Sequence, residues 1–185
     1  TAILGATASI PAALAQSSSV REYYEMRAYR IKPGADTNLL ESYLAKAAIP
    51  ALNKLGIKPI GVFRKIQPKE TEAVFVLLPS SDLGLLASAW LRIAEDSDYR
   101  KAAGAYLETE KASPAYERID SWYMLAFAGL PRLQLPAYSK DRKPRLFELR
   151  TYESHNESKA QKKVDMFNDG EIQLMQELEL GPIFY

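Results

Sequence analysis

Residues 23–31 alternate. Tyr24, Met26 and Ala28 fall on one side of an extended segment, and Glu25, Arg27 and Tyr29 on the other. A period of two is the mark of a strand. Pro33-Gly34 ends the run, and Asp36 is placed to cap a helix over residues 36–55. Leu40, Leu44, Ala47, Ala51 and Leu55 form its apolar stripe, with Pro50 inside it and Gly56 as its stop. Proline removes a helical donor, so a kink is expected near residues 47–49. Strands follow at 58–66 and 72–78, and a helix at 83–95 with Ser81 or Asp82 as cap. Asp98 is placed to cap a further helix over 99–108, and a long strand covers 116–127. The order strand, helix, strand, strand, helix, strand is that of the ferredoxin-like unit.

The pattern then returns. Tyr24-Glu25-Met26-Arg27-Ala28-Tyr29 is matched by Phe147-Glu148-Leu149-Arg150-Thr151-Tyr152, an offset of 123 residues (24 to 147) that holds without a gap to Tyr185. Such a period is too long for a solenoid unit and suits a duplicated small domain. The predicted organisation is an export signal at 1–15, a polar segment at 16–22, a first domain at 23–129, a Pro- and charge-rich linker at 130–144, and the start of a second domain at 145–185. The second copy stops where its second strand is due, so the chain is expected to be part of a longer two-domain protein. Its helix is expected over 157–178, and straight, because Gln173 stands where the first copy has Pro50.

The third strand reads Ala73-Val74-Phe75-Val76-Leu77-Leu78, apolar on both sides, as in a strand covered on both faces. Tyr24, Met26 and Ala28 are expected against the helices, leaving the Glu25-Arg27-Tyr29 side to be covered by the second copy. The fold class predicted is therefore α+β: a ferredoxin-like βαββαβ domain repeated in tandem, its two sheets closing an α/β-barrel by intramolecular pairing.

Composition narrows the chemistry. With 24 basic and 23 acidic residues the net charge is +1, and nothing marks a nucleic acid as partner. There is no cysteine and a single histidine, His155, so disulfides, thiolate sites and multi-histidine metal sites are excluded within this sequence. No metal and no cofactor is expected. Residues 1–14 are uncharged and apolar, and Ala13-Leu14-Ala15 before Gln16 and three serines has the form of a signal-peptidase site. Cleavage after Ala15 implies export to the periplasm or the extracellular space, with no integral membrane segment left in the mature protein.

The candidate ligand-binding residues are Glu25, Arg27 and Tyr29 with their repeat partners Glu148, Arg150 and Tyr152. Side chains two apart on a strand lie roughly 7 Å apart at the backbone, within pairing reach of Glu and Arg. Such a polar floor suits an anionic or hydroxylated ligand. The same residues also suit an internal ion pair that fixes sheet packing. His155 lies just past the second strand and reads as a solvated loop residue. Tyr23, Tyr24, Tyr29, Tyr116, Trp122 and Tyr123 read as strand-forming packing residues.

The two Glu-x-Arg-x-Tyr strands resemble the opening strand of the NIPSNAP family, in the dimeric α/β-barrel superfamily. So do the run from Ala48-Ile49-Pro50 to Leu55-Gly56, the following Pro59-Ile60-Gly61-Val62-Phe63, Trp90 with Asp98-Tyr99-Arg100, Met166-Phe167-Asn168 and Gly181-Pro182-Ile183-Phe184-Tyr185. The resemblance implies tandem ferredoxin-like domains in one barrel. Its superfamily includes cofactor-independent monooxygenases and haem enzymes, while animal family members are linked to adaptor roles. The expected function is an exported barrel protein that binds a small-molecule ligand or another protein, with a homo-oligomer among its expected states. The alternative is a cofactor-independent monooxygenase or isomerase acting on a small organic molecule inside the barrel.

Overall fold

A computed structural model describes residues 20–32, 34–66, 72–141 and 145–185 of the chain. The alternating segment forms β1 (Tyr23–Ile31). It lies between two antiparallel neighbours, β3 (Glu72–Ser80) and β4 (Arg118–Leu125), with Met26 opposite Leu77 on one side and Trp122 on the other. The short β2 (Gly61–Arg64) pairs with β3, Phe63 opposite Phe75. The sheet order is β2-β3-β1-β4, that of one ferredoxin-like unit.

The first helical stretch is α1 (Asn38–Tyr43), a wide π-helical turn at Leu44–Ala48, and α2 (Ile49–Lys54). Pro50 sits in the first turn of α2, where its missing N–H costs little, and the wide turn absorbs the break. Gly56, at φ +88°, ends the helix, and the Ile57 N–H closes back on the Leu52 carbonyl at 3.1 Å. α3 (Leu83–Glu95) is capped by Asp82, whose carboxylate accepts from the Leu85 N–H. α4 (Ser97–Leu107) is capped by Asp96, which accepts from the N–H groups of Asp98 and Tyr99, and not by Asp98 as the sequence suggested. α5 (Glu157–Met166), capped by Asn156, runs through a second wide turn at Phe167–Glu171 into α6 (Ile172–Glu177). The straight helix expected from Gln173 is thus not found. Gly170 adopts non-helical backbone inside the turn, so the bend has a cause other than proline.

The expectation of a tandem barrel is overturned. The sheet is open, with β2 and β4 as its edges, and no second sheet forms among the described residues. Residues 145–154 match β1 in sequence but make no ladder, and a strand without a partner leaves its backbone groups to water.

The two faces of the sheet are also reversed from expectation. Tyr29 and Ile31 pack with Val74, Val76 and Leu78 under the helices, against Leu40, Leu44, Leu52, Leu86, Ile93 and Tyr99. Glu25 and Arg27 share that side. The face carrying Tyr24 and Met26 is the one without helices. It is covered in part by the chain's own later residues: Ala126, Leu133 and Phe184 join Leu77, Phe63, Phe75 and Met124 there. The Phe184 ring stands edge-on to Tyr24 at 5.3 Å, and the strap is held by Gln134 N–H to Ile183 O (2.8 Å) and Phe127 N–H to Tyr185 O (3.1 Å). The helix side holds the larger apolar set, and the polar groups on it are accommodated by partners from distant segments.

Among the described residues no helix is long and apolar enough to cross a membrane.

Candidate functional site

Because side chains alternate along β1, Glu25, Arg27 and Tyr29 all point toward the helices. Glu25 is fully buried. Its Oε1 accepts from Arg27 Nε and from Ser121 Oγ, each at 2.9 Å. Its Oε2 accepts from Trp90 Nε1 at 2.9 Å. The Arg27 guanidinium lies over the Trp90 ring, 3.8 Å from its centroid. A buried carboxylate is tolerated when it is paired and hydrogen-bonded, and here both oxygens are engaged. Among the described residues no buried side-chain nitrogen or oxygen lacks a partner.

Ser121 is positioned by the β1–β4 register, which sets it opposite Arg27. Trp90 is positioned by α3, where Leu86, Ala89 and Ile93 turn the same stripe onto the sheet. Sequence reasoning did not assign either residue to the site. The helical spacing of Leu86, Ala89, Trp90 and Ile93 was the signal that Trp90 faces β1.

Tyr29 continues the line into the core. Its ring meets Tyr116 edge-on at 5.6 Å, and Tyr106 stacks almost parallel on Tyr43 at 3.7 Å. The Tyr43 and Tyr99 hydroxyls are hydrogen-bonded at 3.0 Å. Burial pushes the Tyr29 hydroxyl up to about 12, with the Arg27 charge pulling the other way. Burial raises Tyr43 and Tyr106 as well.

The second set is arranged differently. Arg150 donates to Glu148 at 2.9 Å, but both side chains are exposed. The adjacent guanidinium holds the Glu148 carboxyl below its usual range. Tyr152 is half-exposed, edge-on to Phe167 at 5.4 Å with Lys163 Nζ 4.6 Å above its ring. No hydrogen bond or ion pair among the described residues joins this set to Glu25, Arg27 and Tyr29. The structure therefore brings together the first three predicted residues and leaves their repeat partners apart. His155 is exposed. The cleavage residues Ala13, Ala15 and Gln16 lie outside the described residues.

Two surface grooves lie among the described residues, and neither is lined by Glu25, Arg27 or Tyr29. One lies among Ile31, Lys32, Ala35, Pro114, Tyr116 and Glu117. The other lies between β2 and the first wide turn, among Leu44, Ala45, Ile49, Val62 and Val74, with Glu41 and Arg64 at its rim. Among the described residues no cluster of His, Asp or Glu is placed to hold a metal ion.

No protein-family model and no curated protein matches the chain. Among solved structures the chain is similar to an uncharacterized NIPSNAP domain protein from Burkholderia xenovorans, at 17% identity and a TM-score of 0.41, over 55% of this chain and 91% of that one. It is similar to a NIPSNAP family protein with unknown function from Agrobacterium tumefaciens, at 19% identity and a TM-score of 0.39, over 57% and 88% of the two chains. It is also similar to SnoaB, a cofactor-independent oxygenase from Streptomyces nogalater, at 14% identity and a TM-score of 0.38, over 60% and 99%. The likeness to NIPSNAP proteins is thus structural, at low identity and over little more than half of this chain. It carries no activity across.

Proposed function

We propose that this chain is an interaction module, binding another protein through exposed apolar parts of its sheet, and that Glu25, Arg27 and Tyr29 serve the fold. The observation that carries this reading is the closed network at Glu25. A general base must present a free oxygen to a substrate in a cavity. The Glu25 oxygens are taken by Arg27, Ser121 and Trp90, and the Trp90 ring covers one face of the arginine. Unfinished apolar surface lies elsewhere. Trp122, Tyr123 and Leu125 are exposed on β4, and Val62 on β2. Open apolar surface of that kind suits a protein partner better than a small molecule, which needs a concave site.

The reading is tested by two measurements. Oxygen uptake and product formation are followed with a panel of hydroxylated aromatic compounds, and no turnover above buffer is expected. A fluorescent dye that lights up on apolar surface is expected to bind the chain, with binding reduced in a folded Trp122→Ser variant. Turnover that disappears in a folded Arg27→Lys variant, or dye binding indifferent to Trp122→Ser, overturns the proposal.

A further inference from the structure

We propose that Asp169 is a site of slow covalent modification, isomerising through a ring formed with the Gly170 nitrogen, and that the change loosens the hold of the second helical stretch on residues 127–130. Neither the chemistry nor its effect depends on the interaction-module reading.

Of the nine glycines in the sequence, Gly170 alone follows an aspartate or an asparagine. A following residue without a Cβ leaves its backbone nitrogen open to the carboxyl carbon of the residue before it. Every other aspartate precedes a residue with a side chain, such as Ser97, Tyr99, Ser121 or Met166.

The carboxylate of Asp169 is also unrestrained. Asp36, Asp82 and Asp96 each accept from a backbone N–H. Asp98, Asp120 and Asp165 are held by Lys54, Arg30 and Gln161. Among the described residues only Asp169 and Asp141 have an aspartate side chain without a hydrogen-bond or ion-pair partner, and Asp141 precedes Arg142. Asp169 and Gly170 are both exposed. A partnered carboxylate must give up its partner before its carbon can turn onto the next nitrogen, and Asp169 has none to give up.

A regular helix blocks this reaction, because each N–H is bound to the carbonyl four residues back and its nitrogen is fixed away from the preceding side chain. Gly170 lies instead in the wide turn at Phe167–Glu171, with non-helical backbone (φ 167°, ψ −26°). The regular spacing is broken at the bond the reaction needs. Apart from chain neighbours and the helix's own backbone, nothing lies within 4 Å of where a Gly170 side chain would begin. The ring and an attacking water have room there.

Only water is needed besides the chain itself. The Gly170 nitrogen attacks Asp169 Cγ, a C–N bond forms, and the hydroxyl of the carboxyl group leaves with the amide proton as water. Water then opens the resulting succinimide at either carbonyl. Opening at Cγ returns the original peptide. Opening at the former main-chain carbonyl leaves the chain running through Cβ and Cγ, one carbon longer, with the carboxylate on Cα.

That carbon enters between two contacts that dock the helices. On one side Asn168 Oδ1 accepts from the Gly129 N–H at 2.8 Å. On the other, Ile172 is buried with Leu130 and Phe167. The fit is close, since a Cβ at Gly129 would stand 2.9 Å from Ile172 Cδ1. Lengthening the main chain between residues 169 and 170 shifts one contact relative to the other.

The full chain is incubated at neutral pH and physiological temperature and digested, and its aspartyl peptides are separated and fragmented to distinguish the two linkages. The peptide holding Asp169 is expected to split into two species of equal mass, at a rate comparable to that of a free peptide spanning residues 166–172. Peptides holding Asp96 and Asp120, each followed by serine, are expected to remain single. Asp169→Glu, a change at an exposed site that keeps the charge but would need a larger ring, is expected to abolish the splitting and leave the fold intact. Hydrogen exchange at the Gly129 amide is followed in the same samples. It is expected to quicken about tenfold in the isomerised wild-type chain, as a locally opened contact would, and to stay constant in Asp169→Glu. Splitting far slower than in the free peptide, equal splitting at Asp96 or Asp120, or unchanged exchange at Gly129 in the isomerised chain overturns the inference.

Discussion

Trp90 donates its indole N–H to Glu25 across 65 positions of sequence, at 2.9 Å. The same ring supports the Arg27 guanidinium that neutralises that carboxylate. One side chain of α3 thereby supplies both a hydrogen bond and a π-face to a charge pair on β1. The helix cannot slide along the sheet without breaking both contacts.

Removing the donor alone is informative. Trp90→Phe keeps an aromatic face for Arg27 and leaves Glu25 Oε2 without its partner. The expected loss is about 1–3 kcal/mol of unfolding free energy, read by urea denaturation. Unchanged stability would falsify the anchoring role of Trp90.

Breaking the ion pair should cost more. Arg27→Met keeps much of the volume and strands a buried carboxylate, for an expected loss of about 3 kcal/mol. Adding Glu25→Leu should restore a large part of it, since the pair is then gone as a unit. A double variant no more stable than Arg27→Met would show that the arginine contributes chiefly through its stacking on Trp90.

The buried tyrosines set an alkaline limit. The Tyr29 hydroxyl is pushed from its ordinary 10.0 up to about 12, chiefly by burial, and burial raises Tyr43 and Tyr106 too. Below pH 10 both folded and unfolded chains hold these protons and the full contribution is present. Above it the unfolded chain releases them first, so stability falls as pH rises. Tyrosinate absorbance should therefore show a late, cooperative fraction that ionises together with the loss of tertiary circular dichroism. Smooth ionisation of all 11 tyrosines near pH 10 in a chain that stays folded counts against this.

Glu179 holds a backbone conformation that glycine prefers. Its φ is +56°, at the end of α6, where the matching position after α2 is Gly56 at +88°. The Leu180 N–H closes the helix end onto Met175 O at 3.0 Å. Glu179→Gly should relieve about 1 kcal/mol of left-handed strain, partly offset by the freedom glycine adds to the unfolded chain. Slower hydrogen exchange at the α6 end is the expected readout, and faster exchange the contrary one.

Export is proposed from residues 1–15, which lie outside the described residues. Protein recovered from its host should begin at Gln16 or within a few residues of it. An intact leader on the mature protein would remove the basis for export.

Much of the first unit is legible in the sequence because its signals are local. β1, α3 and the element order follow from periodicity and caps, and the break before Pro50 from the chemistry of proline. The orientation of β1 is not local. Alternation separates Tyr24 and Met26 from Glu25 and Arg27, but the choice of face depends on Trp90 and Ser121, far along the chain. The polar set goes under the helices because those two residues satisfy it there, an outcome that one strand's pattern cannot announce. The segment matching β1 fails to form a strand for a related reason: pattern specifies what a strand would bury, while the ladder requires a neighbour. The cap of α4 shows the limit of local reading in small: Asp96 and Asp98 are both suitable types, and backbone geometry selects Asp96.

The wide turn at Leu44–Ala48 acts as a phase shifter. An α-helix advances about 100° per residue, so one additional residue in a turn rotates everything beyond it by roughly that angle. Ala51 and Leu52 reach the core only because that extra step has been taken. The spacing of the turn, rather than the identity of its residues, therefore sets the phase here. Deleting a single residue between 44 and 48 would leave a regular helix with Ala51 and Leu52 still turned to the core, whereas tightening the turn to α-helical spacing with all its residues kept would rotate them about 100° away from it. The matching turn at Phe167–Glu171 falls under the same rule, and there, without a proline, Gly170 carries the extra step.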